Sequence, residues 1–383
     1  MGKFYKLSSS FFTSMKVLVT GGAGFIGSFV VDELVRKGHF VRILDNLEQQ
    51  VHFGAVPDYM NKNAEFIKGD LKDHQTLKRA LEDVDIVFHK ASAVGVGQSM
   101  YQIYKYISEN SLGTAMLLDI LANEDHNVKK IVVASSMSTY GEGSYKCDRC
   151  GIIEPKLRTE QQMKKKDWEL HCQNCNALIT PIPTPEAKTQ DINSIYALTK
   201  KDQEAMCLMI GRTYGIPTVA LRYFNVYGPR QSLSNPYTGV TAIFMSRIKN
   251  DKQPIIFEDG LQTRDFISVH DIVVANLLAM EHSSANYEIF NVGSGSPICI
   301  KDVAEILARL CGKKIKPNIT NEFRKGDVRH CFADTSKISS KLDFKLNIKF
   351  EDGMRELIKW SDHAEAIDKF DQAAQELKEH GLI

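Results

Sequence analysis

A tyrosine and a lysine four positions apart, Tyr196 and Lys200, are the first residues in this chain whose types and spacing could do chemistry. On a helix, both side chains would leave the same face. A free tyrosine has a pKa of about 10 and is a poor base at neutral pH. A lysine ammonium beside it favours the phenolate and lowers that pKa. The pair could then remove a proton from a hydroxyl group.

Two serines are the candidate partners of this pair. Ser136 and Ser138 follow the apolar run at residues 131–134, which is typical of a buried strand that ends in a turn. Their hydroxyls could hydrogen-bond the oxygen that Tyr196 deprotonates. Because Tyr-x-x-x-Lys alone occurs often by chance, the assignment of these four residues to catalysis depends on a cofactor site elsewhere in the chain.

The first predicted strand and helix have the pattern of a dinucleotide-binding unit. Lys16–Thr20 is a β-branched apolar run, a glycine-rich turn follows at residues 21–27, and apolar residues then recur at helical spacing. The glycines permit a tight turn and close approach to a pyrophosphate at the helix N-terminus. The next predicted strand ends in Asp45, 18 residues after Gly27, which could hold the ribose hydroxyls. This acid favours NAD over NADP because it would repel a 2′-phosphate.

Strands and helices continue to alternate along the first half of the chain. Asp70 follows a predicted strand and is placed to reach the adenine edge, and Ala91 and Ser92 form a turn under the cofactor. A long helical pattern covers about residues 100–123. Such alternation predicts an α/β fold with a doubly wound, parallel Rossmann sheet. The candidate cofactor-binding residues are Gly21, Gly24, Phe25, Ile26, Gly27, Asp45, Asn46, Asp70, Leu71, Ala91, Ser92, Asn110, Tyr196 and Lys200.

Four cysteines lie between the serine turn and Tyr196. Cys147 and Cys150 form one Cys-x-x-Cys pair and Cys172 and Cys175 form another, with 21 residues between the inner cysteines. Two such pairs indicate a four-thiolate zinc ribbon. With all four positions filled, the zinc would be structural and not catalytic. Disulfides, idle thiols, and a DNA-binding or protein-docking role for the insert are the alternatives.

Composition places the chain among ordinary globular proteins. It has 383 residues, a net charge of +1, 43% hydrophobic and 25% charged residues. The small net charge gives no indication of nucleic acid or of an anionic membrane as a partner. No apolar run reaches the ~18 residues of a membrane span, and residues 1–14 lack the apolar core of a signal peptide. We expect a cytosolic protein and assign no function to residues 1–14.

Taken together, these motifs resemble those of the extended short-chain dehydrogenase/reductase family, in particular its nucleotide-sugar epimerase and dehydratase branch. The resemblance runs from Val17 to about Trp360 and includes further segments at residues 222–230, 264–271 and 324–327. It implies a nucleotide-diphosphate sugar as the substrate, with arginine forks that suit phosphate oxygens. The residues that it implies for substrate binding are Asn225, Arg230, Arg264, Arg324 and Asp327.

The same resemblance implies the reaction. The 4,6-dehydratases of this branch carry an Asp-Glu pair where this chain has Met137 and Ser138, and neither residue can replace those carboxylates in proton transfer. The implied reaction is therefore NAD-dependent 4-epimerisation through a transient 4-keto sugar, with Tyr196 taking the hydroxyl proton while NAD takes and returns hydride. A homodimer through the helices near Asn110 and Tyr196 is implied in the same way.

The four-cysteine insert indicates which group within this family the chain resembles. The four-cysteine segment, the proline-rich residues that follow it and the segment at residues 234–239 are similar to the dTDP-L-rhamnose 4-epimerase group, which interconverts dTDP-L-rhamnose and dTDP-6-deoxy-L-talose. The alternatives are a UDP-galactose or UDP-N-acetylhexosamine 4-epimerase, an NAD(P)H-dependent nucleotide-sugar reductase, and a non-catalytic dinucleotide-sensing scaffold. One departure from the family pattern is Lys90, because relatives usually have an apolar residue after the histidine.

The predicted organisation has five segments. Residues 15–144 form the first part of the Rossmann domain, residues 145–180 the zinc-ribbon-like insert, and residues 181–228 the catalytic helix and the strand after it. Residues 229–350 form mainly a smaller nucleotide-sugar lobe, with helices predicted at 240–249, 272–282 and 301–310 and strands at 254–257 and 288–292. Residues 351–383 form a C-terminal helix. We expect the active site between the two lobes.

Overall fold

The computed structural model describes residues 14–383; of residues 1–14, to which the sequence assigns no function, all but Ser14 lie outside that range. The first half of the chain forms β1 (Lys16–Thr20), α1 (Phe25–Arg36), β2 (Phe40–Asp45), α2 (Gln49–His52), β3 (Glu65–Lys68), α3 (His74–Leu81), β4 (Ile86–His89), α4 (Val96–Ser99), α5 (Ile103–Tyr106), a π-helix (Ile107–Leu112), α6 (Gly113–Asn123), β5 (Lys130–Ser136) and a 3-10 helix (Met137–Tyr140).

The insert and the remainder of the chain follow. They form β6 (Ser144–Cys147), β7 (Gly151–Ile153), α7 (Glu160–Lys164), β8 (Thr180–Ile182), α8 (Ile195–Thr213), β9 (Thr218–Tyr223), β10 (Asn225–Tyr227), α9 (Val240–Lys249), β11 (Ile255–Ile256), β12 (Thr263–Ser268), α10 (Val269–Glu281), a 3-10 helix (Ser283–Ala285), β13 (Ile289–Val292), β14 (Pro297–Cys299), α11 (Ile300–Leu310), β15 (Asn318–Ile319), β16 (His330–Cys331), α12 (Ser336–Leu342), α13 (Phe350–Ser361) and α14 (Phe370–Glu379).

Seven parallel strands form the central sheet, in the order β13-β9-β5-β4-β1-β2-β3. The strands are rich in β-branched residues buried on both faces, as a parallel sheet covered by helices requires. One face packs against α1, α10 and α12, and the other against α3, α6 and α8. The predicted α/β doubly wound fold is confirmed. No helix within residues 14–383 is long and apolar enough to cross a membrane.

Residues 229–350 contribute to both parts of the molecule. Strand β13 lies in this range, yet it pairs with β9 and forms one edge of the central sheet. Helix α10 packs against α1 on the same side. It begins at Val269, three residues before the predicted start, because the Ser268 side chain caps it by accepting a hydrogen bond from the His270 N–H.

The smaller lobe is built around β12. This strand pairs in parallel with β10 and β16 and antiparallel with β14, while β11 and β15 form a separate parallel pair. Helices α9, α11 and α13 cover a core that is distinct from the two cores of the central sheet. The lobe thus carries segments 264–271 and 324–327, in which the sequence predicts the nucleotide-diphosphate site.

The insert is a small antiparallel sheet with its own core. Its strand order is β7-β6-β8, and the pairing of β6 with β8 places Ser144 opposite Ile182. The chain therefore enters and leaves the insert at neighbouring positions. The core is small and includes two of the four cysteines; its buried residues are Tyr145, Cys147, Ile153, Leu170, Cys172 and Ile179.

The prediction of one C-terminal helix over residues 351–383 is wrong. Two helices, α13 and α14, occupy this segment, and residues 362–369 separate them. The break is fixed by polar contacts: the Asp368 carboxylate accepts from the N–H of Phe370, and Arg247 pairs with Asp368 and Asp371. A helical periodicity that continues across both segments does not reveal such a break.

Candidate active site

The predicted catalytic and cofactor residues meet at one edge of the central sheet. Because β1, β2, β4, β5 and β9 are parallel, their carboxyl ends lie side by side. The glycine turn follows β1, Asp45 ends β2, Ala91 and Ser92 follow β4, and Ser136 ends β5. In open α/β sheets this edge is where ligands bind.

The glycine turn is sterically tight for two different reasons. Gly21 has a φ of 67° and donates to the Leu44 carbonyl at 2.8 Å, so it needs the left-handed region that glycine tolerates. A Cβ on Gly27 would lie 2.1 Å from the Gly21 carbonyl oxygen. Gly24, at the N-cap of α1, has an ordinary φ of −75°, and its nearest neighbour would be 3.3 Å away. Phe25 and Ile26 begin the helix, whose N-terminus faces the turn.

Asp45 lies between the glycine turn and the next loop. Its carboxylate is buried and accepts hydrogen bonds from the N–H groups of Ala23 and Leu47, at 3.0 and 2.9 Å. The side chains of Asn46 and Asp70 are 3.4 Å apart at the next loop, where Leu71 is buried. These candidates for the adenosine end of NAD are thus grouped beside the turn.

Asn110 lies in the π-helix between α5 and α6. Its amide is fully buried, accepts from the Ala93 N–H at 2.7 Å, and donates to the Ala93 carbonyl and the Thr199 hydroxyl. It therefore ties the turn after β4 to helix α8. Single π-helical turns occur often at functional sites, and here a residue of the π-helix makes this contact.

The catalytic candidates form one cluster. The Ser138 hydroxyl donates to the Ser136 hydroxyl at 3.0 Å, and the Ser136 side chain lies close enough to the Tyr196 phenol to lower its pKa. Ser99 helps to fix the start of α8, because its hydroxyl accepts from the Tyr196 N–H at 3.0 Å. The two serines and the tyrosine, about 60 positions apart in sequence, are thus brought to one point.

Burial raises the pKa of Tyr196 to about 12, and the hydrogen bond from Ser136 offsets only part of that rise. The lowering expected from Lys200 is therefore not what the structure shows. The Lys200 ammonium donates to the Gln203 side-chain oxygen at 2.6 Å, and burial lowers the pKa of Lys200 to about 7. A dry pocket disfavours both charged forms.

A buried polar network beneath Lys200 was not anticipated from the sequence. The Gln203 amide nitrogen donates to Thr114 and contacts His89, and the His89 ring bridges Thr20 and Thr114 at 2.9 and 2.8 Å. Burial, and then the charge of Lys200, lower the pKa of His89 to about 3, so the ring is neutral. The available signal was Gln203, a polar residue one helical turn after Lys200 on the same face.

Helix α8 is joined to the sheet by a buried ion pair. Arg222 on β9 donates to both oxygens of Glu204 on α8, at 2.9 and 2.6 Å, and Ser135 on β5 donates to the same carboxylate at 2.6 Å. Arg222 also donates to the Tyr140 hydroxyl. These contacts relate the helix that carries Tyr196 to the strand that ends in Ser136.

The candidate substrate residues lie mainly in the smaller lobe. Arg264 donates to the carbonyls of Thr263, Val328 and Arg329; among residues 14–383 these three bonds leave two of its five N–H donors without a partner. Half-exposed Arg324 pairs with Asp327 at 2.8 Å. The side-chain oxygen of Asn225 is buried without a hydrogen-bond partner among residues 14–383, as expected of a group that meets a ligand.

The structure does not group Arg230 with these residues. Arg230 forms an ion pair with Asp32 on α1 at 2.7 Å and lies over the rings of Phe29 and Tyr59. Tyr59 in turn donates to the Ala23 carbonyl of the glycine turn. The contacts of Arg230 are therefore on the side of the candidate cofactor site.

Lys90, the departure from the family pattern, is largely buried. Its ammonium donates to the Tyr223 hydroxyl at 3.0 Å and to the Val132 carbonyl at 3.3 Å, and Asn276 binds the same hydroxyl. Burial, and then the charge of Lys200, hold the pKa of Lys90 well below its usual value. Polar partners on β5, β9 and α10 thus accommodate a lysine in an otherwise apolar position.

Helix α14 lies near the candidate active site, which the sequence does not predict. Glu376 on α14 accepts from the hydroxyls of Tyr101 and Tyr237, and the Tyr101 ring stacks on His380 with a centroid distance of 4.4 Å. The Lys325 N–H donates to the Leu382 carbonyl. The C-terminal residues therefore connect the loop next to Ser99 with the loop of Arg324.

The four cysteines of the insert are close enough to bind one ion. Their sulfurs all lie within 4.8 Å of one another, and Cys147 and Cys175 are 3.5 Å apart, too far for a disulfide. Tetrahedral thiolates at ~2.3 Å from zinc would be separated by roughly 3.8 Å. Backbone N–H groups at 174 and 175 donate to the Cys172 sulfur. The donor set and its spacing fit zinc.

The family model described as "NAD dependent epimerase/dehydratase family" matches residues 17–164 and 178–293. The chain belongs to this family. The break in the match falls inside the insert. A dTDP-L-rhamnose 4-epimerase from Burkholderia thailandensis is 33% identical over 359 residues, which cover 92% of this chain and 97% of that protein.

Solved structures of epimerases match the whole fold. A UDP-N-acetylglucosamine 4-epimerase from Methanobrevibacter ruminantium, in complex with UDP-N-acetylmuramic acid, is 33% identical with a TM-score of 0.73 and covers 91% of this chain and 98% of its own. A UDP-glucose 4-epimerase from Thermus thermophilus, in complex with NAD, is 28% identical with a TM-score of 0.72 and covers 92% and 100%. The protein is thus an NAD-dependent nucleotide-sugar epimerase.

Changing Gly24 or Gly27 to alanine should have different effects on stability and on NAD binding. Gly27→Ala places a methyl group against the Gly21 carbonyl. We expect the Tm of the cofactor-free variant to fall by several degrees, and the variant as purified to contain less NAD than the parent. A methyl group on Gly24 would lie 3.3 Å from the same carbonyl, which a small shift can relieve. The Tm of Gly24→Ala should therefore fall much less than that of Gly27→Ala, while NAD binding falls at least about tenfold, since the turn must approach the pyrophosphate closely. Calorimetry with and without NAD checks both. Equal NAD affinity for Gly24→Ala and the parent would contradict this assignment.

Lys200→Met should change how stability depends on pH. The pKa of Lys200 is about 7 in the folded protein and 10.5 in an ordinary lysine, so between these values the unfolded chain binds more protons and the parent becomes more stable as pH rises. The variant lacks this gain. Its Tm relative to the parent should therefore fall by about 2–6 °C from pH 7 to pH 10.

The measurement is thermal unfolding of cofactor-free protein, with exposed Lys62 changed to Met as the control. The control should keep a constant Tm difference from the parent across the same pH range. A constant difference for Lys200→Met as well would show that Lys200 titrates normally.

Proposed function

We propose that this epimerase interconverts dTDP-L-rhamnose and dTDP-6-deoxy-L-talose by inverting C4 of the sugar. The observation that carries the proposal is the grouping of Tyr196, Ser136 and Ser138 at the ligand-binding edge of the sheet, where Ser138 donates to Ser136 at 3.0 Å and Ser136 lowers the pKa of the Tyr196 phenol. Such a cluster suits proton transfer to and from a sugar hydroxyl.

The roles of the catalytic residues follow from their contacts. Bound NAD supplies the hydride acceptor and donor for C4. Tyr196 takes the proton of the C4 hydroxyl and returns it, while Ser136 and Ser138 hydrogen-bond the same oxygen. A phenol with a pKa of about 12 holds its proton too tightly at neutral pH. In this proposal Lys200, one helical turn after Tyr196, favours the phenolate only in its protonated form, and its pKa of about 7 leaves it partly protonated at neutral pH.

The nucleotide diphosphate would bind in the smaller lobe. The two free N–H donors of Arg264 and the half-exposed guanidinium of Arg324 suit phosphate oxygens. Asn225 offers a buried oxygen that lacks a partner among the described residues. Asp327 would orient Arg324 through their ion pair, and Arg230 would act from the cofactor side.

The choice of sugar rests on three similarities. The Burkholderia relative is a dTDP-L-rhamnose 4-epimerase, and the four-cysteine insert and the segment at residues 234–239 resemble that group. Relatives that act on UDP-sugars keep a UDP-sugar 4-epimerase as the second candidate, because they match at similar identity. A reductase would consume NAD(P)H in proportion to product, which epimerisation does not.

We also propose a homodimer formed through α5, the π-helix and α8. Large apolar side chains are exposed along these elements, and dimer formation would remove them from water. The exposed residues are Ile103, Tyr104, Leu112, Leu198 and Met209. Together they are consistent with the dimer that the family resemblance implies.

We propose a structural zinc ion in the insert and a cytosolic location. Four thiolates fill a tetrahedral zinc site and leave no position for water. The left-handed residues after the pairs, Gly151 and Asn176, give the tight turns that such knuckles need. Closely spaced unpaired thiols persist in a reducing compartment.

Tyr196→Phe should abolish interconversion of the epimers. We expect a loss of at least about 10³-fold in kcat, because the variant lacks the group that transfers the proton, while Tm and NAD content stay close to those of the parent. The assay presents dTDP-L-rhamnose, UDP-galactose and UDP-N-acetylgalactosamine separately and follows the epimers by NMR. The absorbance of the nicotinamide band is recorded during turnover.

Three outcomes separate the candidates. Turnover of the dTDP-sugar with constant absorbance supports the proposal, and turnover of a UDP-sugar alone selects the second candidate. Stoichiometric change in the nicotinamide band selects the reductase. Purified protein that releases no NAD on denaturation and turns over none of the three sugars contradicts the proposed function.

Metal analysis should find about one zinc per chain. Changing both Cys172 and Cys175 to Ser should remove the metal and lower Tm, because binding free energy of a structural zinc contributes to folding. Cys299→Ser, outside the cluster, is the matched control and should keep the metal. Metal-free protein in which the four cysteines of the insert are free thiols, or form two disulfides, would refute the zinc site.

A further inference from the structure

A charge network centred on two buried arginines joins the insert to the smaller lobe. From the insert come Arg158 and Glu169; from the lobe come Glu258, Asp259 and Arg329. We call these five residues the insert–lobe network. Within the described residues it is the insert's most densely hydrogen-bonded connection to the lobe that carries the candidate diphosphate site.

Arg329 is the centre of the network and is fully buried, with 0% of its side chain exposed. Its guanidinium donates to Glu169 at 3.0 and 2.6 Å, to Glu258 at 2.9 Å and to Asp259 at 2.7 and 2.9 Å. All its N–H groups point at carboxylates, so its orientation is fixed from both the insert and the lobe.

Arg158 makes the second connection. It binds Glu258 through two parallel bonds of 2.8 Å, and its guanidinium also donates to the Trp168 carbonyl inside the insert and to the Asp327 carbonyl at 3.1 Å. The bond to Asp327 reaches directly into the segment that contains Arg324.

The network ends at candidate phosphate ligands. The Arg329 carbonyl accepts from the guanidinium of Arg264 at 3.1 Å and from the Thr263 N–H. Asp327, whose carbonyl Arg158 holds, pairs through its carboxylate with Arg324. Arg329 and Arg158 thus fix the backbone that orients Arg264 and Arg324, and the insert fixes Arg329 and Arg158.

Stability alone does not account for this arrangement. Burying charges carries a large desolvation penalty, and well-packed apolar side chains of similar volume are often as stabilising. In this network every N–H group of Arg329 is hydrogen-bonded, and of Arg158 only the Nε lacks a partner among the described residues. What such a densely hydrogen-bonded network provides in addition is one defined geometry. Here the geometry in question is that of two arginines that must match phosphate oxygens.

We propose that Arg158 and Glu169 of the insert are positioning residues for the nucleotide-diphosphate subsite, so that the insert sets the affinity for the nucleotide part of the substrate. The inference rests on the proposed function, in which Arg264 and Arg324 bind the diphosphate. It assigns the insert a role in substrate binding beyond bracing its own loop.

The test uses Arg158→Met and Glu169→Ala in full-length holoenzyme. Titration calorimetry with dTDP and, separately, UDP should show a Kd for the recognised nucleotide at least about fivefold weaker than the parent. The KM for the nucleotide sugar should rise by a similar factor, while kcat stays nearly constant, because the cluster around Tyr196 is untouched. NAD and metal content should equal those of the parent.

Two exposed residues of the insert provide matched controls. Lys156→Met and Glu160→Ala remove surface ion pairs, with Asp191 and Lys164 respectively, close to the two test positions in sequence. Both controls should keep the parental Kd and KM. Glu169 is 41% exposed, so its alanine variant should fold even if Arg158→Met does not; Arg158→Lys is the milder replacement.

Arg264→Gln separates failure of this inference from failure of the proposed function. Weaker nucleotide binding by Arg264→Gln together with parental binding by folded Glu169→Ala and Arg158 variants overturns the positioning role. Parental binding by Arg264→Gln itself means that the proposed diphosphate site is wrong, and the positioning role falls with it. A loss of kcat without a change in Kd would also overturn the inference.

Discussion

The buried ion pair between Glu204 on α8 and Arg222 on β9 is the constraint on which the catalytic geometry depends. Ser135 on β5 donates to the same carboxylate, so one acid links a helix and two neighbouring strands. Tyr196 lies two turns earlier on that helix, and Ser136 directly follows Ser135. A shift of the helix along the sheet would leave buried charges unpaired, which is costly. The register between tyrosine and serine is therefore fixed electrostatically as well as by packing.

Exclusion of water then sets the proton affinities of the site. Burial raises the pKa of Tyr196 to about 12 and lowers those of Lys200 and His89 to about 7 and 3. In each case burial favours the neutral form over the charged form, because a charge loses its hydration in the pocket. Gln203 binds the lysine and the imidazole at once. At neutral pH the phenol and the imidazole are therefore neutral, and Lys200 is partly protonated.

Local patterns in the sequence predicted most of the sheet and the core of the site. Three motifs are each defined by spacing within a few residues: the glycine turn, Tyr196 with Lys200, and the two cysteine pairs. Such local motifs can be recognised from the sequence alone. Contacts between distant segments were not predictable in this way. Arg158 and Arg329, which are 171 positions apart, meet through Glu258, and no periodicity marks such a pair. The division of the C-terminal helix and the place of β13 in the sheet depend on tertiary contacts for the same reason.

The pairing of Ser144 with Ile182 bears on how the chain could have acquired its insert. Because the two ends of the insert are paired neighbours, the distance between them does not depend on the length of the insert. For a flexible loop, each doubling in length costs only about 0.6 kcal/mol of closure entropy. A folded module with its own small core can therefore be spliced between two catalytic elements with little effect on their alignment. Loop closure therefore sets little limit on its size, whereas the two strands at its base and the contacts of Arg158 and Glu169 with the smaller lobe do constrain it.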